Sequence, residues 1–282
     1  MVREFCLINN LGQTYSLMDP EEFAYFHEPK GLGFDYNSRY LKVGNVFSPS
    51  IRELSQSVVD GELYFHYYEN YRKLISFIHK ATKLTLKYVV PYKNSTKTYY
   101  KDVTVDNLTK GDKEENGYLI SSMSLTSLSL WYEHSNFIIE DDDNICRWDF
   151  YFDSYFAQYS SRDLDYINNG DLDGSIDLVI YGEVTNPKIS LYIEGELFQE
   201  IEINTQLMEN ERLYYSSKSD DFYIKKRNSD GTYTDLFDLN VITFENDNVL
   251  RIPPGKQCRI TLTAVDLIAK ADLNVYSYYV SM

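Results

Sequence analysis

Residues 61–92 read GELYFHYYENYRKLISFIHKATKLTLKYVVPY, and this stretch decides the fold. Tyr67, Tyr71, Leu74, Ile75 and Ile78 fall at i, i+4, i+7, i+8 and i+11, one face of an α-helix. Glu69, Arg72, Lys73 and Lys80 lie off that stripe, and the helix is predicted to end near Ala81. From Lys83 the period changes to two. Leu84, Leu86, Tyr88 and Val90 alternate with Lys83, Thr85 and Lys87, a half-buried strand stopping at or just after Pro91. A strand-forming run, GELYFHYY, precedes the helix, so the unit is strand, helix, strand.

Outward from this unit the pattern stays β-rich. Tyr99, Lys101, Val103 and Val105 share one strand parity. Leu119–Trp131 reads as a long strand whose apolar parity switches between Leu125 and Leu128, which predicts a bulge or bend. Leu54–His66 reads as a strand interrupted at Asp60-Gly61. Upstream, Phe5–Asn9 is a short strand meeting a turn at Asn10-Leu11-Gly12. Residues 19–49 are rich in Gly, Pro, Asn and aromatics without a period, so an irregular arm is expected, with one short strand near Tyr40–Val43.

The acidic run Glu140–Asp143 marks a boundary near residues 133–143. Beyond it Ile176, Leu178 and Ile180 form one inward face, and Ile189, Leu191 and Ile193 another. Turns are expected at Asp173-Gly174, Asn186-Pro187 and Asp230-Gly231. Ile260, Leu262 and Ala264, then Leu273, Val275 and Ser277, close the chain. Many short alternating strands between such turns argue a β-sandwich or barrel. The expected domains are therefore 1–136 and 137–282, folding separately. Whether the last strand, Leu273–Val280, pairs back onto the first domain stays open.

The net charge of -16 divides unevenly. Residues 1–136 hold 15 Lys+Arg against 16 Asp+Glu, and residues 137–282 hold 12 against 27, giving -1 and -15. Phosphate-backbone binding needs clustered cations, so a nucleic-acid-binding role is disfavoured. The 27 tyrosines suit pleated surfaces and protein interfaces. The N-terminus MVREFCLINN carries no secretory signal, and no run approaches a membrane span.

Chemistry-bearing patterns are sparse. His27, His66, His79 and His134 sit in no metal-ligand spacing, and there is no P-loop, GxSxG or GxGxxG. Cys6, Cys146 and Cys258 form no CxxC pair. Cys258 shares parity with Ile260, and Cys146 with Trp148, Phe150 and Phe152, as small core residues do. Residues Asn169–Asp177 resemble the start of a calcium loop, but Ile180 stands where a bidentate Glu belongs, and a turn entering a strand explains them better. The loop Lys110–Gly117 is either a solvated hairpin or a clasp for a neighbour. No catalytic, cofactor-binding or metal residue is assigned.

The order of elements resembles a known family. GELYFHYY, ENYRKLISFIHKA, KLTLKYVVPY, TYYKDVTVDNLTKGD and YLISSMSLTSLSLWYE together are similar to the N-terminal domain of the distal tail proteins of long-tailed phages. That domain shares its fold with tail-tube subunits. The openings LINNLGQTYSL and HEPKGLGFDYNSRYLKVGNVF resemble the family's N-terminal arm. NNGDLDGSIDLVIYGEVTNPKISLYI and NVITFENDN resemble its galectin-like or carbohydrate-module-like sandwich.

The resemblance implies a mainly β fold with one main helix, and a non-enzymatic hexameric hub ring at the tail tip without cofactors. It implies a lumen that passes DNA as cargo and a tail-tube protein on one face. A tail-tip hub or tail-associated hydrolase is implied on the other, with receptor-binding or peripheral baseplate proteins outside. The implied location is the virion, after assembly in the host cytoplasm. The competing expectation is a carbohydrate-binding baseplate or host-adhesion module using surface tyrosines or Trp148.

Overall fold

A computed structural model of the protein describes residues 3–92, 95–112, 117–140, 162–241, 249–266, 268 and 270–281. The chain divides into two compact units, Met1–Glu133 with Tyr279–Met282, and His134–Tyr278. The acidic run from 141 onward, Cys146, Trp148 and residues 242–248 of NVITFENDN lie outside the described residues, as do 113–116 of the charged loop.

The first unit contains β1 (Glu4–Asn9), β2 (Thr14–Ser16), β3 (Tyr25–Lys30), β4 (Tyr36–Val43), β5 (Val46–Leu54) and β6 (Val58–Phe65). Helix α1 (Tyr68–Lys80) follows, then β7 (Leu84–Tyr92), β8 (Ser95–Leu108), β9 (Leu119–Ser127) and the start of β10 (Trp131–Glu140). Antiparallel ladders join β1, β7, β8, β9, β6 and β3 in that order. Leu17 completes the circuit. Its N–H donates to the Phe5 carbonyl (2.9 Å), and its own carbonyl accepts from Phe26 N–H (2.8 Å). The enclosed core holds Phe5, Phe26, Leu63, Phe65, Leu86, Leu125 and Trp131.

Gly61 does not interrupt its strand, contrary to the sequence expectation. It pairs with Met123 in the middle of β6. A Cβ there would meet the Phe26 ring at 2.4 Å, so glycine is what lets that ring cross the strand. The expected long strand Leu119–Trp131 breaks at Leu128–Leu130 into β9 and β10, where the parity switch lies.

Helix α1 carries acidic Glu69 in its first turn and His79 and Lys80 in its last, which complements the helix dipole. It presents Tyr71, Leu74 and Phe77 to the core. The predicted stripe was rotated. Tyr67 is the N-cap and 54% exposed, Ile75 and Ile78 are half-buried, and Phe77 replaces them inside. Phe77 meets the Tyr15 ring 5.7 Å away, a partner whose position only the folded sheet determines.

The second unit contains β11 (Arg162–Ile167), β12 (Leu172–Tyr181), β13 (Val184–Thr185), β14 (Lys188–Ile193), β15 (Glu196–Ile203) and β16 (Gln206–Leu207). It continues with β17 (Arg212–Ser216), β18 (Tyr223–Arg227), β19 (Tyr233–Asp235), β20 (Asn240–Val241), β21 (Gln257–Thr263) and β22 (Lys270–Tyr279). One layer runs β19-β18-β17-β12-β22 and the other β11-β21-β14-β15-β20. Ile176, Leu178 and Ile180 from the first layer share a single core with Ile189, Leu191, Ile260 and Leu262 from the second. This is the sandwich arrangement, with strand parity as expected. Asp173-Gly174 is not a turn but a bulge inside β12, between Leu172 and Ser175. Buried Asn168 holds it, donating to the Leu172 and Ile252 carbonyls (2.9 and 2.7 Å) and accepting from Gly170 N–H.

The end of the chain returns to the first unit. The Tyr279 ring meets Tyr99 edge-on at 5.2 Å, and its hydroxyl donates to Glu133. A fragment of residues 1–136 therefore lacks a buried aromatic. It should be less stable than the same unit in the full chain by about 3–5 kcal/mol, as for truncating a buried ring. Paired chemical-denaturation curves of fragment and full chain, with equal midpoints, would contradict this.

Candidate assembly surface

The arm between β3 and β6 is the feature the sequence reading described least well. In place of an irregular segment with one short strand, β4 and β5 form an eight-step hairpin, from Tyr36 opposite Leu54 to Val43 opposite Val46. The turn is Gly44-Asn45, and Gly44 has φ +62, which glycine accepts without strain. The signal was present. V-G-N-V flanked by strand formers is a hairpin pattern, hidden by the bulge at Ser50, opposite Arg39 and Tyr40, that breaks the alternation of β5.

Among the described residues β4 pairs only with β5, so both outer edges of the hairpin are open. One face carries Tyr36, Tyr40, Pro49 and Phe47, and the other Leu41, Val43, Val46 and Ile51. Val43 is 70% exposed and Phe47 66%. A two-stranded ribbon is marginal in water even with one apolar face covered. One that exposes large apolar side chains on both faces, among charged ones, and has open edges has the anatomy of an assembly element. Arg52 stacks on the Tyr36 ring at 4.0 Å, stiffening its lower part.

The root of the hairpin is anchored firmly. Ser55 N–H donates to the Asp35 carbonyl (2.8 Å), Gln56 Nε2 to the Ser127 carbonyl (2.8 Å), and Trp131 Nε1 to the Leu32 carbonyl (3.1 Å). Below it lies a buried lysine. Lys101 is 3% exposed, its Nζ donates to Ser57 Oγ at 2.7 Å, and it stands 4.7 Å from the centre of the Trp131 ring. Burial pulls its ammonium down to about 8. A cavity of about 490 Å³, lined by Gly33, Phe34, Ser57 and Val58 among others, opens beside this root.

The residues weighed for chemistry lie in ordinary surroundings. His66 packs between Tyr67 and Tyr118, His79 is exposed at the helix end, and His27 stands 3.6 Å from Glu28. His134 faces the Tyr276 ring, and burial followed by Lys218 holds its imidazolium below the ordinary range. Burial raises the Cys6 and Cys258 thiols, which disfavours the reactive thiolate. In the calcium-like segment Asp171 and Asp173 face solvent. Asp177 instead pairs with Lys218 (2.7 Å) and accepts from Tyr276 (2.9 Å). Among the described residues no group of three or more His, Cys, Asp or Glu side chains could hold a metal ion. No described helix is long and apolar enough to cross a membrane.

In the first unit a helix-covered sheet carries a projecting hairpin, and the second unit is a β-sandwich. Over 100% of both chains the fold is similar to a chain of the phage P2 baseplate in its activated conformation with calcium, with TM-score 0.65 and 16% identity. It is also similar to the Dit protein of phage SPP1, described as a hub of the adsorption apparatus in phages infecting Gram-positive bacteria. There the TM-score is 0.56 and the identity 10%, over 97% of this chain and 98% of that one. Residues 4–128 match the family model described as distal tail protein, N-terminal domain. Residues 4–128 therefore carry a distal tail protein N-terminal domain. None of the curated proteins matches its sequence.

Proposed function

We propose that the chain closes into a hexameric hub ring through residues 1–136, and that the β4–β5 hairpin is the element each subunit lays on its neighbour. The observation that carries this reading is the hairpin itself, with large exposed apolar side chains on both faces and anchored only at its root. Identical subunits joined head-to-tail close into a ring when the rotation permits, and such an interface needs a projecting element and a separate receiving surface. In this reading the lumen passes DNA, one face receives the tail-tube protein, and the other receives the tail-tip hub or tail-associated hydrolase. Residues 137–282 form a galectin-like sandwich at the periphery, supporting receptor-binding or other baseplate proteins. The strongly acidic charge of that half keeps the periphery soluble. The role is mechanical, without catalysis, and is exercised in the virion after assembly in the host cytoplasm.

Light scattering at micromolar concentration tests the ring. The full chain should give particles of about six subunits. A variant whose residues 38–51 are replaced by a short Gly-Ser turn should give monomers that still unfold cooperatively, losing only the hairpin's share of the β signal. A full chain that stays monomeric alone and beside its tail partners would overturn the proposal.

A further inference from the structure

The outer face of the layer β11-β21-β14 holds a groove of about 760 Å³, wholly within the second unit. Two rows of side chains cross it. In the first, Asp165, Arg259 and Tyr192 stand opposite one another on three successive strands. Arg259 grips Asp165 with Nε (2.8 Å) and Nη2 (3.2 Å), a two-pronged pair that orients both planes. In the second, Asp163 and Thr261 are partners in register, and Thr261 Oγ1 donates to Asp163 Oδ1 at 2.8 Å. The Asp165 carboxyl is held below its usual range by the Arg259 hydrogen bond, so this row keeps its charges at neutral pH.

This arrangement has three properties. The polar side chains are held by one another, so little rotamer freedom is lost when a ligand arrives. The rows are two residues apart along the strands, about 7 Å, so the hydroxyls on two sides of one monosaccharide can reach both. Tyr192 offers a half-buried aromatic ring with a polar tip at one end of the first row. Charge also selects the ligand. Asp163, Asp165 and Glu194 against Arg259 and Lys256 leave the groove near neutral, inside a half of the chain that carries -15. Polyanions are repelled there, and cations find Asp165 and Glu194 already paired.

We infer that this groove is a binding site for a neutral saccharide. Its ring C–H face would lie on Tyr192, and neighbouring hydroxyls would be shared between the Arg259 guanidinium and the Asp163 carboxylate. The ring proposal does not depend on this site, nor the site on the ring.

Saturation-transfer NMR on the full chain is the test. The probes are glucose, galactose, rhamnose and N-acetylglucosamine with their dimers, and poly(glycerol phosphate) as the anionic comparison. At least one neutral sugar should show transfer to its ring protons at ~10 mM or below, as suits a shallow single site. Tyr192→Ala and Arg259→Ala should each weaken it by about 10-fold or more, while Tyr192→Phe should retain most of it. Melting curves show whether each variant is folded, and Asp163→Asn supplies a second reading if Arg259→Ala is not. Absence of transfer from every neutral sugar would overturn the inference. So would transfer unchanged in folded variants, or binding of the polyanion alone.

Discussion

Replacing Leu74 with alanine is expected to lower the stability of the first unit by about 2–5 kcal/mol, the range for a buried leucine truncated without collapse of its surroundings. Leu74 is fully buried at the centre of the helix's inward face, between Tyr71 and Phe77. The strands on the other side of that core belong to a closed hydrogen-bonded circuit, which resists moving inward to fill a void. The large end of the range is therefore expected. The check is the denaturation midpoint of the transition assigned to the first unit, with unchanged denaturant sensitivity. Leu74→Met, which nearly conserves volume, should cost less than ~1.5 kcal/mol. A Leu74→Ala midpoint within error of the wild type would show that the helix does not pack as described.

Lys101→Met should act in the opposite direction and stabilise the protein at neutral pH. The lysine is held near 8 in the folded state against 10.5 for the free side chain. Below about pH 8 the folded chain carries a charge it has desolvated, a penalty of about 3 kcal/mol from the pKa difference. The Trp131 ring under the ammonium and the Ser57 hydroxyl return part of this, so a net gain of about 1–3 kcal/mol is expected. Nothing is orphaned by the change, because Ser57 and Ser127 already share a hydrogen bond at 2.8 Å.

The pH dependence gives a second signature. Between pH 8 and 10.5 the unfolded chain binds more protons at this site than the folded chain does. Wild-type stability relative to the variant therefore rises with pH across that window, and the advantage of Lys101→Met should fade. The comparison must be wild type against variant, because Tyr15, raised by burial, titrates with the opposite sign at higher pH. An advantage constant from pH 7 to 10.5, or a loss of stability at pH 7, would show that Lys101 is not a desolvated cation.

Much of the framework was legible in the chain because it depends on period alone. The change from a helical to a two-residue period between Ile78 and Leu84 marks α1 and β7. The parity that put Lys101 with Tyr99 and Val103 placed it among buried residues, and all three are buried. Parity could not say that a lysine would be tolerated there; that needed Ser57 and Trp131, 44 and 30 positions away in the chain. The rotation of the helix face toward Phe77 follows from the position of Tyr15, which no local pattern encodes.

The hairpin and the groove fall on the other side of the same division. An exposed hairpin needs no inward face, so its residues obey no burial period, and the bulge at Ser50 interrupts the alternation of β5 as well. The groove is assembled from three strands spanning residues 163–261, and only the register of β11 and β14 on β21 aligns Asp165, Arg259 and Tyr192. A mainly β chain with one main helix, residues 68–80, and a charge break near residue 136 can be read locally, because periodicity and charge are local properties. The closed circuit of the first unit, the return of Tyr279 to it, and both candidate surfaces were decided by tertiary structure. Each depends on pairings between distant segments, whose energies no single segment contains.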